Sequence, residues 1–110
     1  MAHYLLRWQF STDSAKRLLD KPQDRTNAAK ALIEGFGGKL HSYYFALGEY
    51  DGIAICELAD NTAATAVSLV ASSTGAFSRF ETTTLLTGGE AKAAMDNAKA
   101  HQKIYKPPNA

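Results

Sequence analysis

Lys39-Leu40-His41-Ser42-Tyr43-Tyr44-Phe45-Ala46-Leu47 and Ile53-Ala54-Ile55-Cys56-Glu57-Leu58, joined by Gly48-Glu49-Tyr50-Asp51-Gly52, decide the fold. Aromatic and β-branched residues, which suit a pleated, half-buried surface, are prominent in these runs. The joining segment holds two glycines and an aspartate, the residue types that make tight turns. The stretch reads as strand, turn, strand. Ile53 to Leu58 is apolar on both faces, which predicts a central strand.

Upstream, Tyr4 to Phe10 alternates. Tyr4, Leu6, Trp8 and Phe10 point one way and Leu5, Arg7 and Gln9 the other, so this is another strand. Ser11, Thr12 and Asp13 offer caps for a short helix carrying Ala15, Leu18 and Leu19. Pro22 breaks that helix, and a second is expected from about Pro22, with Asp20 as its cap. Ala29, Leu32, Ile33 and Phe36 form its core stripe, and Gly37-Gly38 ends it. Downstream, Asp60 or Asn61 caps a helix whose expected buried stripe is Ala63, Ala66, Val67, Val70 and Ala71, closed by Gly75. Phe77 to Leu86, with its Thr82-Thr83-Thr84 run, is a fourth strand. Thr87 and Glu90 have the spacing of a capping box, opening a last helix with Ala91, Ala94, Met95 and Ala98 on one face.

The order β, α, β, β, α, β, α predicts an α+β, ferredoxin-like βαββαβ fold with an extra C-terminal helix: a four-stranded antiparallel sheet with helices on one face. One domain is expected over residues 1–106, with 107–110 as a flexible tail after Pro107-Pro108. Large side chains on both sheet faces leave one face to be covered. A second copy of the chain is the expected partner, giving a homodimer or higher homo-oligomer.

Composition narrows the function classes. Twelve basic residues against eleven acidic ones give a net charge of +1, so nothing calls for nucleic acid or an anionic membrane. No apolar run reaches the roughly 20 residues of a membrane span, and no signal peptide is expected. Cys56 is the single cysteine, which excludes an intrachain disulfide and fits a cytoplasmic protein. No phosphate-binding glycine loop or nucleophile elbow occurs. His3, His41 and His101 lie far apart in sequence, so neither a metal site nor a cofactor is expected.

Gly37-Gly38-Lys39-Leu40, Tyr44, and Leu47-Gly48-Glu49-Tyr50-Asp51 resemble the GYD domain family, as do Arg79-Phe80-Glu81-Thr82 and the Leu85-Leu86-Thr87 approach to a glutamate-bearing helix. The resemblance covers about Tyr4 to Ala98. It implies a dimeric α/β barrel, in a superfamily that includes cofactor-free monooxygenases, isomerases and ligand-sensing domains. It implies no particular reaction.

Two functional readings follow. In the first, the chain is a homo-oligomeric module that binds a small apolar or aromatic ligand between sheet and partner, with Trp8, Tyr44, Tyr50, Asp51 and Arg79 as candidate contacts. The alternative reading of Tyr50 and Asp51 is as turn residues, and that of Arg79, which shares a strand face with Glu81, is a rim salt bridge in a dimer. In the second, the chain is a cofactor-independent enzyme, monooxygenase- or isomerase-like. His41 and Tyr43, placed on one face by alternation, would then supply acid–base chemistry, the alternative for His41 being a packed or interface histidine. Cys56 reads as a small packed hydrophobe.

Overall fold

The computed structural model describes residues 1–109. The chain runs β1 (Ala2–Phe10), α1 (Thr12–Asp20), α2 (Thr26–Gly35), β2 (Lys39–Phe45), β3 (Gly52–Leu58), α3 (Asn61–Ser72), β4 (Phe77–Leu85) and α4 (Gly88–His101), closed by a 3-10 turn at Gln102–Ile104. The strands form one sheet in the order β2-β3-β1-β4, with every adjacent pair antiparallel. This is the ferredoxin-like α+β fold, with α4 appended. The apolar β3 is internal, as its composition predicts.

Alternation decides which face meets the helices. Tyr4, Leu6 and Trp8 of β1 and Ala54, Cys56 and Leu58 of β3 are buried together with Ile33 of α2 and Ala64 and Val67 of α3. The opposite face carries His3, Leu5, Arg7 and Gln9 opposite Leu85, Thr83, Glu81 and Arg79. We refer to it as the open face. On α3 the buried residues are Ala64, Val67 and Ala71, whereas Ala63 and Ala66 are half-buried and Val70 is exposed. The observed stripe is turned slightly about the helix axis from the expected one, a shift that a run of small apolar residues on all sides permits.

The helix ends follow capping chemistry. Ser11 Oγ accepts the Ser14 amide, Asp60 accepts the Ala63 amide, and Thr87 and Glu90 make both halves of the capping box. The start expected for α2 at Pro22 is not observed. Residues 21–25 form a loop, and Asp24 bonds the Thr26 amide at 2.9 Å and the Thr26 hydroxyl at 2.6 Å. Asp24, two residues before the helix, satisfies the first free amide instead of Asp20.

Two irregularities re-aim side chains. In β4 an extra residue at Ser78 opposes the Gln9–Phe10 step, so Phe77 and Phe80 both reach the helix face. In β2 the register slips at His41, between the Leu40–Cys56 and Ser42–Ile55 pairs. Leu40 and Tyr43 consequently share the helix face, while His41 turns to the open face beside Glu57. Simple alternation, which puts His41 and Tyr43 together, fails at this bulge.

Helix α4 buries none of its residues, and Met95 is exposed. The Cα radius of gyration is 17.8 Å and the longest extent 59 Å. A compact chain of this length would have a radius of gyration near 13 Å. The helix stands out as an arm. The expected tail at 107–110 reaches Ala110, which lies outside the described residues. No helix among the described residues is long and apolar enough to cross a membrane.

Candidate functional site

The helix layer does not close over the sheet. A cleft of about 500 Å³ remains between it and the strands. Trp8, Phe77, Phe80 and Tyr43 form its aromatic floor. Trp8 stacks on Phe80 with centroids 6.1 Å apart and lies 5.6 Å from Tyr43 and 6.3 Å from Phe77. The β4 bulge assembles this floor, because without the extra residue Phe77 would face the other way. Gly52, opposite Trp8 in the register, leaves room for the indole: a Cβ there would be built directly into the ring.

Leu32, Leu40, Val70 and Ala71 contribute apolar walls, and Arg17 and Arg25 bring positive charge to the lining. Arg17 pairs with Asp13 at 2.9 Å. Arg25 bonds the neutral Gln23 side chain at 3.1 Å and has no carboxylate partner among the described residues. The Tyr43 hydroxyl has its pKa raised by burial, with Arg25 opposing the rise, so it stays protonated as a donor at neutral pH.

The Gly48–Asp51 turn reaches across the end of the sheet. Asp51 accepts the Phe10 amide through Oδ2 at 2.8 Å and donates its own amide to the Trp8 carbonyl at 2.8 Å. Gln9 donates to the Glu49 carbonyl. Tyr50 lies over the open face, where its hydroxyl donates to Glu81 at 2.5 Å. The guanidinium groups of Arg7 and Arg79 sit 4.5 and 5.1 Å from its ring centroid. Arg79 also bonds Glu49 at 2.9 Å and Glu81 at 2.6 Å, and Arg7 bonds Glu81 at 3.1 Å. The Tyr50 hydrogen bond and Arg79 hold the Glu81 carboxyl below the usual range. These carboxylates occupy Arg79, and the Gly-Tyr-Asp segment clamps the turn onto β1 and β4.

Elsewhere on the open face, the β2 bulge brings His41 to Glu57, with Nε2 and Oε2 2.6 Å apart. His3, the cross-strand partner of Glu57, stacks on His41 at 5.7 Å and points its own Nε2 at Oε1 from 3.8 Å. The His41 hydrogen bond, aided by the charges of His3 and the amino terminus, lowers the Glu57 pKa. Cys56 is fully buried, and burial pushes its thiol up to about 11, so it is no nucleophile at neutral pH.

The predicted site residues thus fall into three groups. Trp8 and Tyr43 line the cleft, and Tyr44 borders a neighbouring depression with Arg25. Tyr50, Asp51 and Arg79 belong to the turn clamp, and His41 to the His3–Glu57 cluster. Of the ligand contacts expected from the sequence, Trp8 lines the apolar cleft under the helices, whereas Tyr50, Asp51 and Arg79 lie at the turn and on the open face. Sequence reading missed Phe77, Phe80 and Arg25. The strand alternation of Trp8 and the i, i+3, i+4 face of α2 were the available signals, and neither reveals a cleft.

An α+β ferredoxin-like domain with one half-covered aromatic sheet face is the class that these features define. The family described as GYD domain matches residues 4–95, and the chain belongs to it. No curated protein matches the chain.

Proposed function

We propose that this GYD domain binds a small, flat, largely apolar compound bearing an acidic group, and that it does so as a homo-oligomer without a cofactor. The aromatic-floored cleft of about 500 Å³ carries this reading. Concave, mostly apolar sites with a few convergent polar groups are the usual form of small-molecule sites. Trp8, Phe77 and Phe80 offer ring faces to an aromatic or alicyclic body. Arg25 offers a fork of donors to a carboxylate.

Oligomerisation is argued from the other face. Leu5, Ile53, Ile55 and Leu85 are only partly covered there, Tyr44 is exposed, and α4 projects with Met95 uncovered. A second copy supplies a surface of the same length and chemistry, and sheet and arm together offer room for the roughly 1,000 Å² that a stable interface needs. The acid–base enzyme reading is weaker, because His41 and Tyr43 lie on opposite faces and share no pocket.

Trp8 is the only tryptophan, so its emission reports the cleft. Titration with aromatic carboxylates should shift it saturably, the matched neutral amides should bind less tightly, and Arg25→Gln should erase that preference. Ala28→Phe, at the exposed rim of the cleft, should block binding without altering the core. No saturable response up to about 1 mM, the weak limit of useful recognition, rejects the reading.

A further inference from the structure

The binding cleft makes no use of His3, His41 and Glu57. We propose that these three side chains form a binding site for a divalent transition-metal ion on the open face of the sheet. Three different strands, β1, β2 and β3, supply one ligand each. Their candidate donor atoms all lie within 4.8 Å of one another. Zinc-like ions sit about 2.0–2.2 Å from imidazole nitrogen and carboxylate oxygen, so two donors on one tetrahedral ion stand about 3.3 Å apart. The separations of 2.6 Å and 3.8 Å to the two Glu57 oxygens bracket that value. The three donor atoms thus already stand close to the spacing that one ion needs.

The details exceed what a single histidine–carboxylate hydrogen bond explains. Both imidazoles direct Nε2 toward the same carboxylate, one toward each oxygen. His41 makes a hydrogen bond, whereas the 3.8 Å between His3 and Glu57 is too long for one. The rings stack nearly parallel, with an interplanar angle of 17°. Two protonated imidazoles would repel each other there, while two neutral ones can share a cation. The β2 bulge sits at His41 and turns it to this face, a placement bulges often have at functional sites. In the lone chain the side chains of His3, His41 and Glu57 are 37%, 32% and 23% exposed, so there an ion can enter from solvent.

Two nitrogen donors and one oxygen select zinc, cobalt, nickel or ferrous iron over calcium or magnesium, which take oxygen sets. The surrounding charge is mixed. Lys39 is the cross-strand partner of Glu57 on β2 and opposes a cation. Glu90, at the start of α4, lies within electrostatic reach of His3 and favours one. Metal binding competes with protons for its ligands, as at any site of imidazoles and carboxylates.

The test uses the untagged full chain, stripped of metal by a chelator and titrated calorimetrically with Zn²⁺. One ion per chain is expected. Affinity should fall by on the order of 100-fold in His3→Ala and in His41→Ala, because even supporting residues around a metal typically contribute 10–100-fold. Glu57→Gln should also weaken binding, and His101→Ala should leave it unchanged. Co²⁺ added to the parent chain should shift the ring-proton resonances of His3 and His41 but not His101, which needs no variant to fold. Absence of saturable Zn²⁺ binding, survival of full affinity in the His3→Ala/His41→Ala double variant, or unshifted His3 and His41 resonances overturns the proposal. The site lies on the face opposite Trp8, so its failure and that of the cleft reading are separate outcomes.

Discussion

Gly52→Ala tests how the sheet and cleft are built. Gly52 opens β3, pairs with Trp8 on one side and Phe45 on the other, and is buried. A methyl group there collides with the six-membered part of the indole. Either the β1–β3 backbone separates or the ring turns away. The ring has somewhere to go, because the cleft of about 500 Å³ adjoins it. Overpacking of this kind costs about 1–3 kcal/mol, and the adjacent space holds the expected loss toward the lower part of that range. For a domain of this size each kcal/mol lowers the melting temperature by about 4–8 °C, so a fall of roughly 5–15 °C is expected. Urea unfolding followed by circular dichroism measures the loss, and Trp8 emission shows whether the ring has moved. A melting temperature and an emission maximum both equal to the parent's would refute this close packing of Gly52 on the indole.

Gly48→Val should destabilise the fold by about 1–3 kcal/mol, because Gly48 has φ +155°, which side chains rarely adopt; Glu49→Ala, which loses one exposed ion pair to Arg79, should cost less than about 1 kcal/mol in the same denaturation assay. Asp51→Ala leaves the Phe10 amide without its acceptor and should cost about 1–3 kcal/mol, read as faster amide exchange at Phe10 and a lower melting temperature. Glu81 has a depressed pKa in the fold, so its contribution is complete above the ordinary carboxylate range near pH 4.3 and is lost as pH falls through the depressed value; Glu81→Gln should be less stable at pH 7 and show a flatter acid limb in melts from pH 6 to 2. Sedimentation at micromolar concentration should give at least two chains per particle, and a stable monomer would contradict the proposed assembly.

Much of the architecture was legible because local chemistry and period agree. The apolar β3, the glycine-bounded turn and the Thr87–Glu90 capping box each announce a neighbour or a boundary in a few residues. The α2 start was misplaced because Pro22 is a permissive helix opener, whereas the bond that fixes the boundary comes from Asp24, a loop residue. The functional residues were harder to read for one physical reason. A bulge adds a residue to one strand without any signature in hydrophobic period, and two bulges decide which side chains meet. One gathers Phe77 and Phe80 beside Trp8, and the other separates His41 from Tyr43 and delivers it to Glu57. His3 and His41 are 38 positions apart in the chain, and antiparallel pairing of β1 and β2 with β3 makes them neighbours.

The unsupported arm has a consequence for how the chain can be observed. Helix α4 has 14 residues, about the length at which an isolated helix is only marginally stable in water. Its Thr87 capping box, Lys92–Asp96 ion pair and terminal basic residues help it locally, but no core holds it. Its helix–coil equilibrium is therefore nearly independent of the unfolding of the sheet. In the lone chain its amides should exchange with deuterium long before those of β1 and β3, and its share of the helical ellipticity should melt as a broad, non-cooperative slope. Any surface that covers the arm would convert that slope into part of the main transition.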